Sequence, residues 1–246
     1  MVGMKRFWVC GIVLALSATV RAGDREKALE VVNAAIKAHG GEDALTKVQT
    51  AIRSGNVSQP VGGKDIALIA EVTLGLPGRF RLDLMTVDKS LRVLSVLNVD
   101  RAWRASNGMA VELSKDALQE LQEEGYVELL ATLVPLKKDV FDLAPIEGKM
   151  VNDKPTLGIK VSHKGQADTQ LYFDKESGLL VKIERRTRTG GILLDKEYIL
   201  ADFKEFNGVR LPTRRTEFLS GKKAAELSAA TYRFPARVDE SAFVRP

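Results

Sequence analysis

The chain has 246 residues, 45% hydrophobic and 28% charged, with one cysteine and a formal charge of +5. These values exclude collagen-like, coiled-coil and wholly disordered chains, and a lone cysteine excludes an intramolecular disulfide framework or a cysteine-based zinc site. Residues 1–22 hold three of the 37 basic residues and none of the 32 acidic ones, so the remainder balances at +2 and gives nucleic-acid binding no support.

Lys5 and Arg6 precede an apolar run from Phe7 to Leu16, followed by Ser17-Ala18-Thr19-Val20-Arg21-Ala22. A charged start, a short apolar stretch and a Val-x-Ala site predict a signal peptide over residues 1–22. The run is shorter than the ~20 residues that span a bilayer. Cys10 follows Trp8-Val9 rather than a Leu-Ala-Gly lipobox, which argues against lipidation. The expectation is a periplasmic protein with one domain over residues 23–246, free of cysteine and of transmembrane segments.

Residues 24–39 predict an amphipathic helix with Ala28, Leu29, Val32, Ala35, Ile36 and His39 on one stripe, stopped by Gly40-Gly41. His39 in the last turn reads as a packing residue, placed where a cation would favour the helix dipole. A short helical turn is expected over 43–48. From Thr50 the period becomes two. Ile66, Leu68, Ala70, Val72 and Leu74 alternate, Pro77-Gly78 marks a turn, and Phe80, Leu82 and Leu84 share one face of the next strand. Leu91–Val99 is apolar on both faces, which predicts cover on both sides.

Ser114 caps a predicted helix whose stripe is Leu118, Leu121, Leu129, Leu130 and Leu133. Gly125 inside it predicts a kink between two helices, and Pro135 ends the run. Strands then resume. Leu157, Ile159 and Val161 share a face, as do Leu171 and Phe173. Lys175–Gly178 reads as a hairpin loop, and Asn207-Gly208 is a strong two-residue hairpin signal. Short turns between consecutive strands require an antiparallel meander, broken once by helix.

Catalytic and cofactor chemistry finds no foothold in the sequence. Two histidines, His39 and His163, stand in no metal-ligand pairing, and no Gly-x-Ser-x-Gly elbow or phosphate-binding glycine loop occurs. Ser220-Gly221-Lys222-Lys223 reads as a hairpin tip. Glu120, Glu123, Glu124 and Glu128 alternate with the leucine stripe and predict a solvated helix face. Lys182, Glu184, Arg185, Arg186 and Arg188 read as the water-facing side of a strand, or as a rim meeting an acidic group. The reading is a protein that is not an enzyme, with no cofactor.

Trp103 opens a strand after the turn Asn98-Val99-Asp100-Arg101. It reads as core packing or as the wall of an apolar pocket. Phe80, Leu82, Leu84, Trp103, Leu171 and Phe173 form the candidate ligand-binding lining, and a packed core would use the same residues.

Several stretches in order carry a resemblance: His39-Gly40-Gly41 before Ala44–Val48, Asn98–Arg104, Leu171–Leu180, Asn207–Pro212 and Asp239–Phe243. Over most of residues 24–246 the chain resembles exported bacterial proteins of the outer-membrane lipoprotein-sorting type, related to the LolA/LolB half-barrel fold. The resemblance implies an α+β architecture: an unclosed antiparallel half-barrel wrapped around an N-terminal helix and a central helical insertion. It implies an apolar cavity that accepts a lipid or a lipoprotein acyl group, hence a non-catalytic carrier or sensor. The alternative is an envelope protein-interaction or regulatory module on the same fold. The mature chain is longer than a typical carrier and lacks the acylated cysteine of the outer-membrane acceptor.

Overall fold

A computed structural model describes the backbone of residues 13–246 and the side chains from Gly23 onward, so the signal peptide expected over 1–22 lies outside the fully described residues. Helix α1 (Val13–Ala38) buries Ala28, Val32, Ala35 and Ile36 at helical spacing. Gly40 closes it at φ +112°, and a Cβ there would lie 2.0 Å from the Gly208 carbonyl oxygen, so the turn admits glycine alone. Helix α2 (Glu42–Thr46) and a 3₁₀ turn (Lys47–Thr50) lead into the sheet.

Strands β1 (Ile52–Val61), β2 (Lys64–Gly75), β3 (Arg79–Thr86), β4 (Arg92–Asn98), β5 (Arg101–Ser106) and β6 (Met109–Glu112) form one antiparallel meander. Helix α3 (Lys115–Ala131) then carries the chain to the opposite edge. There β7 (Asp142–Ile146), β8 (Met150–Val151) and β9 (Lys154–Ser162) begin a second meander. It continues through β10 (Thr169–Asp174), β11 (Leu180–Thr189), β12 (Ile192–Phe206), β13 (Val209–Leu219) and β14 (Lys222–Arg233). Strand β14 pairs with β1, which fuses both meanders into one sheet running from β6 to β7. Those two edges are not paired with each other, so the barrel is unclosed. This is the α+β half-barrel expected from the sequence.

The main core joins α1 and α3 to the concave face through Leu74, Phe80, Leu97, Leu130, Ile159, Leu171 and Phe173. The double-sided apolarity of β4 has a separate cause on each side. Leu97 points into the main core, while Val96 packs outside the sheet with Trp103 and Phe243. Phe243 comes from a 3₁₀ turn, Glu240–Phe243, that lies over the convex face. A Cβ on Gly75 would sit 2.9 Å from its ring.

The kink expected at Gly125 is absent: α3 runs unbroken from Lys115 to Ala131. Gly125 instead marks the helix's approach to the sheet, where an added Cβ would lie 3.5 Å from Leu97 and 3.8 Å from Phe80. Ser114 caps the helix as expected, its Oγ accepting the Ala117 N–H at 3.4 Å.

Candidate functional site: the concave face

The glutamates of α3 do not face water, contrary to the sequence expectation. Glu120, Glu124 and Glu128 recur every four residues and meet cations or backbone donors of the strands. Arg53 on β1 donates to both Glu128 oxygens at 2.8 and 3.1 Å, and Arg215 on β13 donates to one of them. Lys196 and the Tyr198 hydroxyl, both on β12, donate to Glu124. Thr187 donates to Glu123, and the Gly190 N–H donates to Glu120 at 2.7 Å. Arg215 also lies 4.1 Å over the Tyr198 ring.

Arg185 corrects the second surface assignment. Lys182, Glu184, Arg186 and Arg188 lie on the convex side, but Arg185 shares the inward parity of Ile183, and its side chain is 1% exposed. It lies beneath α3, donating to the Glu123 carbonyl at 3.3 Å and sitting 5.7 Å from the Tyr126 ring centre.

Burial alone would raise the carboxyl of Glu128, but Arg53 and Arg215 outweigh it and hold the group at about 2. Burial likewise opposes ionisation of Glu124 and Lys196. Their mutual attraction prevails, lowering the acid and raising the amine. The network therefore stays charged at neutral pH and ties α3 to both halves of the sheet.

His39 is a second tie. Its Nε2 accepts the Leu180 N–H at 3.1 Å, so the ring proton sits on Nδ1 and is donated to the Arg210 carbonyl at 2.6 Å. Burial pulls the imidazole down to about 4, so the residue is neutral here rather than a cation at the helix end. It hooks α1 to the starts of β11 and β13.

The six lining residues expected from sequence divide into three groups. Phe80, Leu171 and Phe173 are fully buried members of the main core. Trp103 sits on the convex side, because β5 turns Ala102 and Arg104 inward and Trp103 outward against Val96 and Phe243. Leu82 and Leu84 face the concave side and remain half-buried.

Register extends that half-buried surface across neighbouring strands. Leu84 pairs with Ala70 on β2 and Val93 on β4, and Leu68 on β2 pairs with Val57 on β1. Leu82 pairs with Ser95, which pairs with Arg104, which pairs with Val111. Val57, Leu68, Leu82, Leu84 and Val93 are all partly exposed, forming an apolar trough across the first meander.

The interior beneath α3 is different. Its cavity is about 50 Å³, lined by His39, Arg53, Glu128, Leu200, Arg215 and Tyr232 among others. That is room for a few waters and none for an acyl chain. Among the described residues no group of three or more His, Cys, Asp or Glu is placed to hold a metal. No described helix is long and apolar enough to cross a membrane.

No protein-family model and no curated protein matches the sequence. Solved structures do match in fold. A putative outer membrane lipoprotein-sorting protein domain from Vibrio parahaemolyticus superposes with a TM-score of 0.58 at 14% identity, covering 89% of this chain and 97% of that one. A LolA superfamily protein from Nitrosomonas europaea gives 0.57 at 11% identity with the same coverage. A DUF1329 family protein from Desulfovibrio piger gives 0.54 at 12% identity, covering 88% and 97%. The chain thus has the LolA-like half-barrel fold that its motifs resemble.

Proposed function

We propose that this chain is an exported, periplasmic binding protein, a single domain after its leader, that holds a lipid or lipoprotein acyl group without chemistry. The observation carrying this reading is the half-burial of Leu82 and Leu84 on a concave face whose neighbouring Phe80 is sealed. An apolar surface left open inside a curved sheet is suited to a ligand chain. The LolA-like fold and the lipoprotein-sorting name of one structural neighbour support it. The occupant lies in the trough of β1–β4, not in the small cavity behind α3.

The test is Leu82→Trp. Burial of a fluorescent fatty acid by the parent should be lost in the variant, while the melting temperature changes by no more than a few degrees. A parent that takes up no fatty acid rejects the reading. A second reading, an envelope module that binds a protein partner, draws on the β6 edge, where Met109 and Val111 are 77% and 60% exposed. Its mark would be a partner cross-linked through β6 in envelope fractions, with no co-purifying lipid.

A further inference from the structure

The arginines of the first meander are distributed unevenly in their partners. On the convex side each has a carboxylate: Arg79 pairs with Glu240, Arg81 and Arg92 with Asp83, and Arg101 with Glu112. On the concave side Arg53 is engaged by Glu128. Arg104 is the exception. It is exposed, it points into the concave face, and its contact there is a hydrogen bond from Nε to Ser95 Oγ at 3.3 Å. Among the described residues it has no carboxylate partner.

We propose that the trough binds a long-chain fatty acid, with the carboxylate on Arg104 and the chain lying over Val93, Leu84, Leu68 and Val57. This rests on the lipid-binding reading above and adds to it a head group and an orientation.

Three observations carry the assignment. Those apolar residues fall one per strand from β4 to β1, so the path begins at the guanidinium on β5 and crosses four strand spacings. It spans ~19 Å across the strands at ~4.8 Å per spacing and steps two residues along them twice, from Arg104 to Val93 and from Leu84 to Leu68, for a length of ~24 Å, on the scale of an extended long acyl chain. A guanidinium presents parallel N–H donors that match a planar carboxylate in a bidentate pair. Between the hairpin tips, Arg53 and Arg104 are the cations on the concave side of the first meander among the described residues, and Arg53 is already neutralised. One free positive charge suits a monoanion, whereas a phosphate group would call for more.

The experiment compares palmitate with hexadecanol on the full chain by titration calorimetry, in the parent and in Arg104→Gln. Both probes share the chain and differ in charge. The parent should bind palmitate about ten- to a hundredfold more tightly than hexadecanol, and Arg104→Gln should abolish that preference while leaving hexadecanol affinity unchanged. Arg104→Glu should turn the preference toward hexadecylamine. Because Arg104 is exposed, the variants should keep the parent's melting temperature. Equal binding of palmitate and hexadecanol by the parent would overturn the head-group assignment and leave the apolar trough standing. A palmitate preference that survives in Arg104→Gln would also overturn it. Binding of neither probe would reject the lipid-binding reading as a whole.

Discussion

Arg53 and Glu128 meet in a two-point ion pair, 2.8 and 3.1 Å, between the first strand of the sheet and the helix that joins its two edges. Arg215 shares the same carboxylate from the other half of the sheet. One glutamate therefore fixes α3 against both meanders at once. Removing it would leave two buried guanidinium groups without the carboxylate they share.

Glu128→Gln should accordingly destabilise the fold by ~3–5 kcal/mol in urea unfolding. Replacing all three partners together, with Arg53→Met, Glu128→Leu and Arg215→Met, should cost less than the single change, since no unpaired charge then remains. A triple variant less stable than Glu128→Gln would show that the pairs contribute net stability.

Acid should weaken the fold in two stages. The folded-state value of His39 is depressed from 6.5 to about 4. Its contribution is fully present above pH 6.5 and disappears as pH falls toward 4, amounting to ~3 kcal/mol. Glu128, depressed from 4.5 to about 2, holds its contribution above pH 4.5 and loses it as pH falls toward 2. Urea midpoints across this range should show both limbs, and His39→Phe should flatten the upper one. A stability flat from pH 7 to 5 in the parent would contradict the neutral, clamped imidazole.

Gly125→Ala should stabilise the protein. The added methyl would meet Leu97 at 3.5 Å, an ordinary contact distance, and α3 passes through this residue with regular geometry. The gain expected from helix propensity is ~0.5–1 kcal/mol. A raised melting temperature supports this; a drop equivalent to more than ~1 kcal/mol would mean the helix cannot spare that space.

Phe243→Ala should cost ~3 kcal/mol, because its ring is buried against Val96, Trp103 and the space left by Gly75. The change should also expose the Trp103 indole, seen as a red shift in tryptophan emission. Unchanged emission would place the ring's role elsewhere.

The strands were legible because alternation is a local property. Phe80, Leu82 and Leu84 share a face in any sheet, and Asn207-Gly208 turns the chain wherever it lies. The glutamate stripe was not legible in the same way. Glu120, Glu124 and Glu128 look alike on a helix facing water and on one facing cations, and their partners lie on distant strands. A signal existed in the strands themselves: Arg185 has the parity of Ile183, Lys196 that of Tyr198 and Leu200, and Arg215 that of Leu211. Three cations at inward positions require buried acids to pair with them. Trp103 lies on a strand as its turn predicts, but alternation tells which residues share a side and not which side is concave. That depended on Phe243, close to the carboxyl end.

Pairing of β1 with β14 sets the order in which the fold can be completed. The first strand made and the last strand made form the midline of the sheet, and neither is an outer edge. Until residues 222–233 have emerged, β1 keeps one row of peptide groups without a strand partner, and the two meanders have no seam. The seam joins residues as far apart in sequence as Ile52 and Arg233, so its closure should be slow and late. Until that last strand is in place, the chain is kept from locking into its final shape by its own topology. Truncation before β14 should leave a raw strand edge and an insoluble product.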